Sequence, residues 1–84
     1  MSDTREKVRG FIVENFLFGQ GAALQDNTSF LEQGIIDSTG VLEIIGFLEQ
    51  EFGVTVEDAE IVPENLDSVG RIVDFVARKK GQAT

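Results

Sequence analysis

The sequence predicts a small all-α protein: an antiparallel bundle of three main helices plus one short helix, with a long loop between helices one and two. Three observations carry this. Apolar residues recur at helical spacing in three separate stretches. Proline occurs once and tryptophan and tyrosine not at all, which argues against a sandwich or barrel of many short strands. The 84 residues have room for one domain with a single core, placed at residues 1–80, with 81–84 as a frayed tail.

Asp3-Thr4-Arg5-Glu6 has the D-x-x-E form of a capping box. Val8, Phe11, Ile12 and Phe16 follow at helical spacing, so helix one is expected from Thr4 to Leu17 or Phe18, carrying Gly10 as an unfavourable residue. Gly19-Gln20-Gly21 stops it. A polar segment then runs to Ile36, with turn chemistry at Asp26, Asn27 and Thr28 and room for one helical turn. A loop that long needs anchors, and Phe30, Leu31, Ile35 and Ile36 can insert into the core.

Helix two is expected from Ser38 to Phe52. At about 100° per residue, Val41, Ile45, Leu48 and Phe52 share a narrow stripe, flanked by Leu42 and Ile44. Phe47 falls on the mostly polar side and calls for cover by a neighbouring short element. Gly53 reads as the residue that closes the helix. Val54 and Val56 are loop anchors, since no second strand exists to pair with them. A short helix fits Glu57 to Val62, ended by Pro63. Asp67 or Ser68 caps the last helix, whose apolar side is Val69, Ile72, Val73, Phe75 and Val76. Arg78, Lys79 and Lys80 suit its C-terminal dipole.

Composition excludes much chemistry. With no cysteine there is no disulfide framework and no thiolate metal site. With no histidine the commonest general base is missing, and with it the serine triads and most zinc sites. The acidic run Glu57, Asp58, Glu60, Glu64 and Asp67 lacks the order of an EF-hand loop and reads as a solvated face, so no metal site is expected. No apolar run approaches membrane-spanning length and the N-terminus has no signal-peptide core, which makes the cytoplasm the expected address. The formal charge is −8, and its layout says more than its size. All seven basic residues lie at the two ends, and from Glu14 to Gly70 there are twelve acidic residues and none basic. Such a surface repels nucleic acid and anionic membranes and steers toward basic protein patches.

Asp-Ser followed by x-Gly occurs twice, at Asp37-Ser38-Thr39-Gly40 and Asp67-Ser68-Val69-Gly70. The flanks do not align, so there is no repeat, and helix capping is the plain structural account of both. Only the first follows an apolar lead-in, Phe30-Leu31-Glu32-Gln33-Gly34-Ile35-Ile36, and precedes the strongest apolar stripe.

The run from Phe30 to Phe52 resembles the attachment region of acyl carrier and peptidyl carrier proteins, whose pattern is a Gly, one or two apolar residues, then Asp-Ser opening the second helix. Length and helix order extend the resemblance over nearly the full chain. It implies a non-catalytic carrier that holds acyl or aminoacyl intermediates as thioesters on a covalent 4′-phosphopantetheine arm taken from coenzyme A. By this resemblance the arm joins Ser38, flanked by Asp37 and Thr39, while Ser68 matches only a capping position. The partners implied are a phosphopantetheinyl transferase, an acyl- or aminoacyl-adenylating ligase, and a downstream acyltransferase or synthase with basic docking patches. Docking falls on helix two at Leu42, Glu43, Glu49 and Glu51; helical spacing favours Glu43, and Glu49 projects toward the core stripe. A cargo pocket would lie between helix two and the short helix, near Val41, Leu48, Val56 and Ile61. Thr39 and Gly40 stand where fatty-acid carriers usually have Leu or Met and then an acidic residue. Ile35-Ile36 and Gly46 look more like D-alanyl and other discrete, specialised carriers. The rival reading is an unmodified acidic helical interaction module that binds a basic partner. Either would be a monomer by default.

Overall fold

Apolar residues one turn apart make the first helix amphipathic, and Val8 and Ile12 are accordingly buried on its inner face. The computed structural model, which describes residues 3–17 and 24–82, places them in α1 (Asp3–Phe16). The remaining elements are α2 (Phe30–Gln33), α3 (Ser38–Phe52), a 3-10 turn at Asp58–Glu60, α4 (Pro63–Leu66) and α5 (Val69–Gln82). The bundle of three main helices is as expected, with no strand among the described residues. Asp3 lies inside α1 rather than before it, and the stop signal Gly19-Gln20-Gly21 lies outside the described residues.

Side-chain pairs fix the direction of α1 against α3. Lys7 pairs with Glu51 at 3.0 Å, Phe11 stacks on Phe47 with centroids 4.3 Å apart, and Phe16 reaches Gly40. Sequence number rises along α1 as it falls along α3, so the two are antiparallel. Lys80 stands 5.8 Å from the Phe52 ring, which brings the C-terminal end of α5 to that of α3.

Several contacts differ from the sequence reading. Phe47 is covered by Phe11 of a main helix, not by a short element. The buried side of α3 centres on Ile44 and Leu48 and includes Gly40, whereas Val41 and Ile45 are half-buried. Packing against α1 pulls the buried face away from the apolar centroid. Leu31 does not insert into the core; it is 57% exposed, while Phe30 and Ile36 are the buried anchors. In a helical turn neighbouring side chains point about 100° apart, so Phe30 can face the core while Leu31 does not. Pro63 does not simply end a helix. It opens α4 at the first position, where its fixed φ and missing N–H cost nothing. The expected single short helix is therefore two turns in succession, and α5 continues through Gly81 to Gln82.

Positive-φ glycines close α2 and α3: Gly34 at φ 65° and Gly53 at φ 69°. The long loop is held by the start of α5. The Phe30 N–H donates to the Asp67 carbonyl at 2.9 Å, and the Gly70 N–H donates to the Asp26 carbonyl at 2.8 Å. The Asp67 carboxylate accepts the Ser29 hydroxyl and the Leu31 N–H. Of the two candidate caps for α5, Ser68 does the work: its Oγ accepts the Arg71 N–H at 3.1 Å.

All seven basic side chains have partners. Arg5 pairs with Asp26 at 2.9 Å, Arg9 donates to the Leu24 carbonyl at 2.6 Å, and both Lys7 and Lys80 approach Phe52. Arg71 donates to the Glu64 carbonyl, Arg78 to Asn65 Oδ1, and Lys79 to both oxygens of Glu60. Three of fifteen acidic residues form ion pairs among the described residues. Three of the cations are paired with carboxylates, and the acidic residues outnumber the basic ones fifteen to seven, so the net surface charge is acidic.

Two predictions follow from local packing. A Cβ at Gly10 or Gly46 meets nothing within 4 Å, so Gly10→Ala and Gly46→Ala should each stabilise by about 1 kcal/mol through helix propensity. At Gly40 a Cβ would stand 2.8 Å from both Ile36 Cγ2 and Phe16 Cε1, so Gly40→Ala should destabilise by roughly 1–3 kcal/mol through overpacking. Urea unfolding of the three variants checks both signs. The Glu57 N–H, and then the Lys79 ammonium, hold the Glu60 carboxyl below its ordinary value of 4.5. A lowered folded-state pKa gives stability that is present above pH 4.5 and lost as pH falls through the folded value. Thermal melts of Glu60→Gln should therefore show a deficit at neutral pH that shrinks below pH 4.5.

Candidate functional site

Asp37 sets the geometry of the loop–helix junction. Its backbone is extended (φ −104°, ψ −171°), and its carboxylate accepts the Gly40 N–H at 2.8 Å, as an N-cap should. The first intrahelical bond runs from the Val41 N–H to the Asp37 carbonyl at 3.0 Å. Ser38 is thus the first residue of a 15-residue helix. The Ser38 and Thr39 amides precede the hydrogen-bonded ladder, at the positive end of the helix dipole. Asp37 and Thr39 are exposed. A helix start of this kind, flanked by exposed residues and carrying unladdered first-turn amides, suits a phosphodiester-linked arm.

The second Asp-Ser is built differently. Ser68 is 4% exposed and its Oγ is engaged by the Arg71 N–H. Asp67 is turned to the long loop. The same dipeptide serves one junction flanked by exposed residues and one that is closed.

Residues on either side of Ser38 in sequence, Ile36 and Val41, line a cleft of about 120 Å³. Its other walls are Phe30 and Leu31 of α2, and Ile61, Val62, Pro63 and Leu66, with Asp67 at one edge. Of the four expected pocket residues, Val41 and Ile61 are there. Leu48 is fully buried in the core behind, and Val56 is half-buried outside the cleft. The cleft sits at the Ser38 end of α3 because the loop, rather than the middle of the helix, supplies the missing wall. Phe30 and Ile36, read as anchors of the loop, were the available signal for this.

The expected docking residues also divide. Thr39, Leu42, Glu43, Gly46 and Gln50 form an exposed strip at helical spacing. Leu42 is 65% exposed, and with Leu31 it is one of two exposed large hydrophobic residues among those described. Glu43 makes no ion pair among the described residues. Glu49 and Glu51 are exposed but engaged: Glu49 Oε2 accepts the Val56 N–H at 3.0 Å, and Glu51 pairs with Lys7. Gly40 is buried under Phe16 and Ile36, so its small size answers to packing at the helix start.

A family model described as the phosphopantetheine attachment site matches residues 18–76. The chain is 34% identical over 74 residues to a probable acyl carrier protein, PigG, of a Serratia species, covering 88% of this chain and 85% of that protein. It is 31% identical over 77 residues to the acyl carrier protein of Zymomonas mobilis subsp. mobilis, covering 92% and 91%. Among solved structures, an acyl carrier protein from Thermotoga maritima superposes with a TM-score of 0.67 at 27% identity, covering 98% of this chain and 96% of that one. A chain from a crystal structure described as an FAD-dependent dehydrogenase superposes with a TM-score of 0.74 at 30% identity, covering 82% and 97%. No helix among the described residues is long and apolar enough to cross a membrane.

The junction depends on the cap. Asp37→Ala should cost about 1 kcal/mol of stability, with amide exchange rising first in the opening turn of α3; Asp37→Asn, which keeps an acceptor for the Gly40 N–H, should restore most of it.

Proposed function

The chain belongs to the phosphopantetheine-binding acyl carrier family, and on that footing we propose that Ser38 is the residue that bears its prosthetic arm. The protein is a non-catalytic carrier with covalently attached 4′-phosphopantetheine. The arm supplies the thiol that a chain without cysteine lacks, and it holds acyl groups as thioesters. A phosphopantetheinyl transferase installs the arm, and biosynthetic partner enzymes load and unload it. The unmodified-adaptor reading is not favoured by this membership.

One observation supports Ser38 above all. Of the two Asp-Ser junctions, Ser68 is buried and bonded as a cap, whereas residue 38 opens α3 between exposed Asp37 and Thr39, and Ile36 and Val41 on either side of it in sequence line the cleft. The chain's own residues then have distinct tasks. Asp37 holds the first turn in register by capping Gly40. Ile36 and Val41 present an apolar cleft beside the attachment point. Leu42 and Glu43 face outward one turn further on, as an apolar contact and an unpaired charge for a basic partner patch. An adenylating ligase and a downstream acyltransferase or synthase fit that surface. The protein acts as a monomer in the cytoplasm.

Incubation with coenzyme A and a phosphopantetheinyl transferase should add one phosphopantetheinyl group to the peptide containing Ser38. The addition should vanish in Ser38→Ala and persist in Ser68→Ala, the latter less stable by about 1 kcal/mol. An unmodified protein under several transferases, or modification surviving Ser38→Ala, overturns the assignment. Glu43→Lys should raise the KM of a partner enzyme for the loaded carrier on the order of tenfold, equivalent to about 1.4 kcal/mol, without lowering the melting temperature.

A further inference from the structure

The two sides of the cleft differ in how they are held. One side is α3, a 15-residue helix backed by the buried Ile44 and Leu48. The other is Ile61, Val62, Pro63 and Leu66, carried on a 3-10 turn and a four-residue helix. Two single turns have little ladder of their own, so their position depends on what grips them. That grip comes from α5. Lys79 Nζ donates to both Glu60 oxygens, at 2.9 and 3.1 Å. Glu60 Oε1 also accepts the Glu57 N–H at 2.9 Å, closing the 3-10 turn on itself. The Glu60 carbonyl accepts Asn65 Nδ2 at 3.0 Å, and Asn65 Oδ1 accepts Arg78 at 2.9 Å. The Lys79 and Glu60 side chains are only 16% and 28% exposed, drier than either of the other two ion pairs. A shielded, doubly bonded pair is worth more than a solvated one.

We propose that the Glu60–Lys79 pair is a latch that sets how far the cleft can widen, making these two residues determinants of the acyl chain length the carrier shelters. This rests on the reading of the cleft as the cargo site beside Ser38. At about 120 Å³, and with roughly 30 Å³ for each water-sized group, the cleft has room for about four of them, so a short apolar chain fits it as it stands. A longer chain needs one wall to move. The α3 wall is backed by close-packed core, while on the other wall Leu66 alone is buried in it, so Ile61, Val62 and Pro63 are the part that can shift once Lys79 lets go of Glu60.

The test uses the carrier loaded with acyl-phosphopantetheine from butyryl-, octanoyl- and tetradecanoyl-coenzyme A, with melting temperature as the readout. Sheltered methylenes add stability and exposed ones do not. In the unaltered protein the stabilisation should rise from the holo form to a short chain and then level off. In Lys79→Met, which keeps the apolar stem, and in Glu60→Gln, which keeps an acceptor for the Glu57 N–H, the plateau should move to longer chains. Lys79→Arg should restore the original plateau. A lower baseline with the plateau unmoved in both variants means the pair only stabilises the fold, and overturns the latch. No dependence on chain length in the unaltered protein overturns the cleft as cargo site, and the latch with it.

Discussion

The loop between α1 and α3 has to be tied to a small helical bundle without a strand to hold it, and Asp67 meets that requirement. Its carbonyl accepts the Phe30 N–H, and its carboxylate accepts the Leu31 N–H and the Ser29 hydroxyl. Irregular backbone near a core needs such partners, because an unsatisfied polar group there costs on the order of 1–3 kcal/mol. With the loop anchored, Phe30 and Ile36 enter the core, Gly34 turns the chain, and Asp37 arrives where it can cap α3. The position of Ser38 is the end of that sequence of constraints. Asp67 also borders the cleft, so the residue that holds the loop helps to define the space the loop encloses.

Charge is organised on the same economy. The basic residues sit at the two ends of the sequence, and folding commits each to an internal partner: Arg5 and Arg9 to the loop, Lys7 and Lys80 to the far end of α3, Arg71, Arg78 and Lys79 to the segment before α5. The excess that remains is acidic. Glu43, the charged residue on the exposed strip of α3, makes no ion pair among the described residues, which suits the basic partner patch proposed above. Acidic residues that look equivalent in sequence are not equivalent in the fold. Glu49 ties down the Val56 amide and Glu51 holds Lys7, so each is partly spent on structure.

The start of α3 was legible to the residue because capping is local. Asp37 followed three positions later by the bonded Gly40 N–H needs nothing from the rest of the chain. The end at Gly53 was legible for the same reason, since a left-handed backbone there selects glycine. Leu31 was not, because an apolar residue in a loop enters the core or stays out according to the turn its neighbours make. Phe47 was placed on the polar side of its helix by periodicity, and periodicity does not know that Phe11 waits opposite. Gly40 stands where fatty-acid carriers usually have an acidic residue, and what the sequence did not show is that Phe16 and Ile36 leave no room there for a larger side chain.

The sequence by itself determined the class of fold, the limits of α3, the absence of histidine and cysteine chemistry, and the serine at a helix start that the family's pattern singles out. These depend on local propensity, on composition, or on a short motif, all of which are written along the chain. Tertiary structure alone decided where the cleft opens, which acidic residues remain free, and what grips the cleft's second wall. Those are relations between segments far apart in sequence, such as Glu60 with Lys79 and Leu31 with Asp67. Each depends on how helices cross and how turns orient, and one-dimensional periodicity carries no information about either.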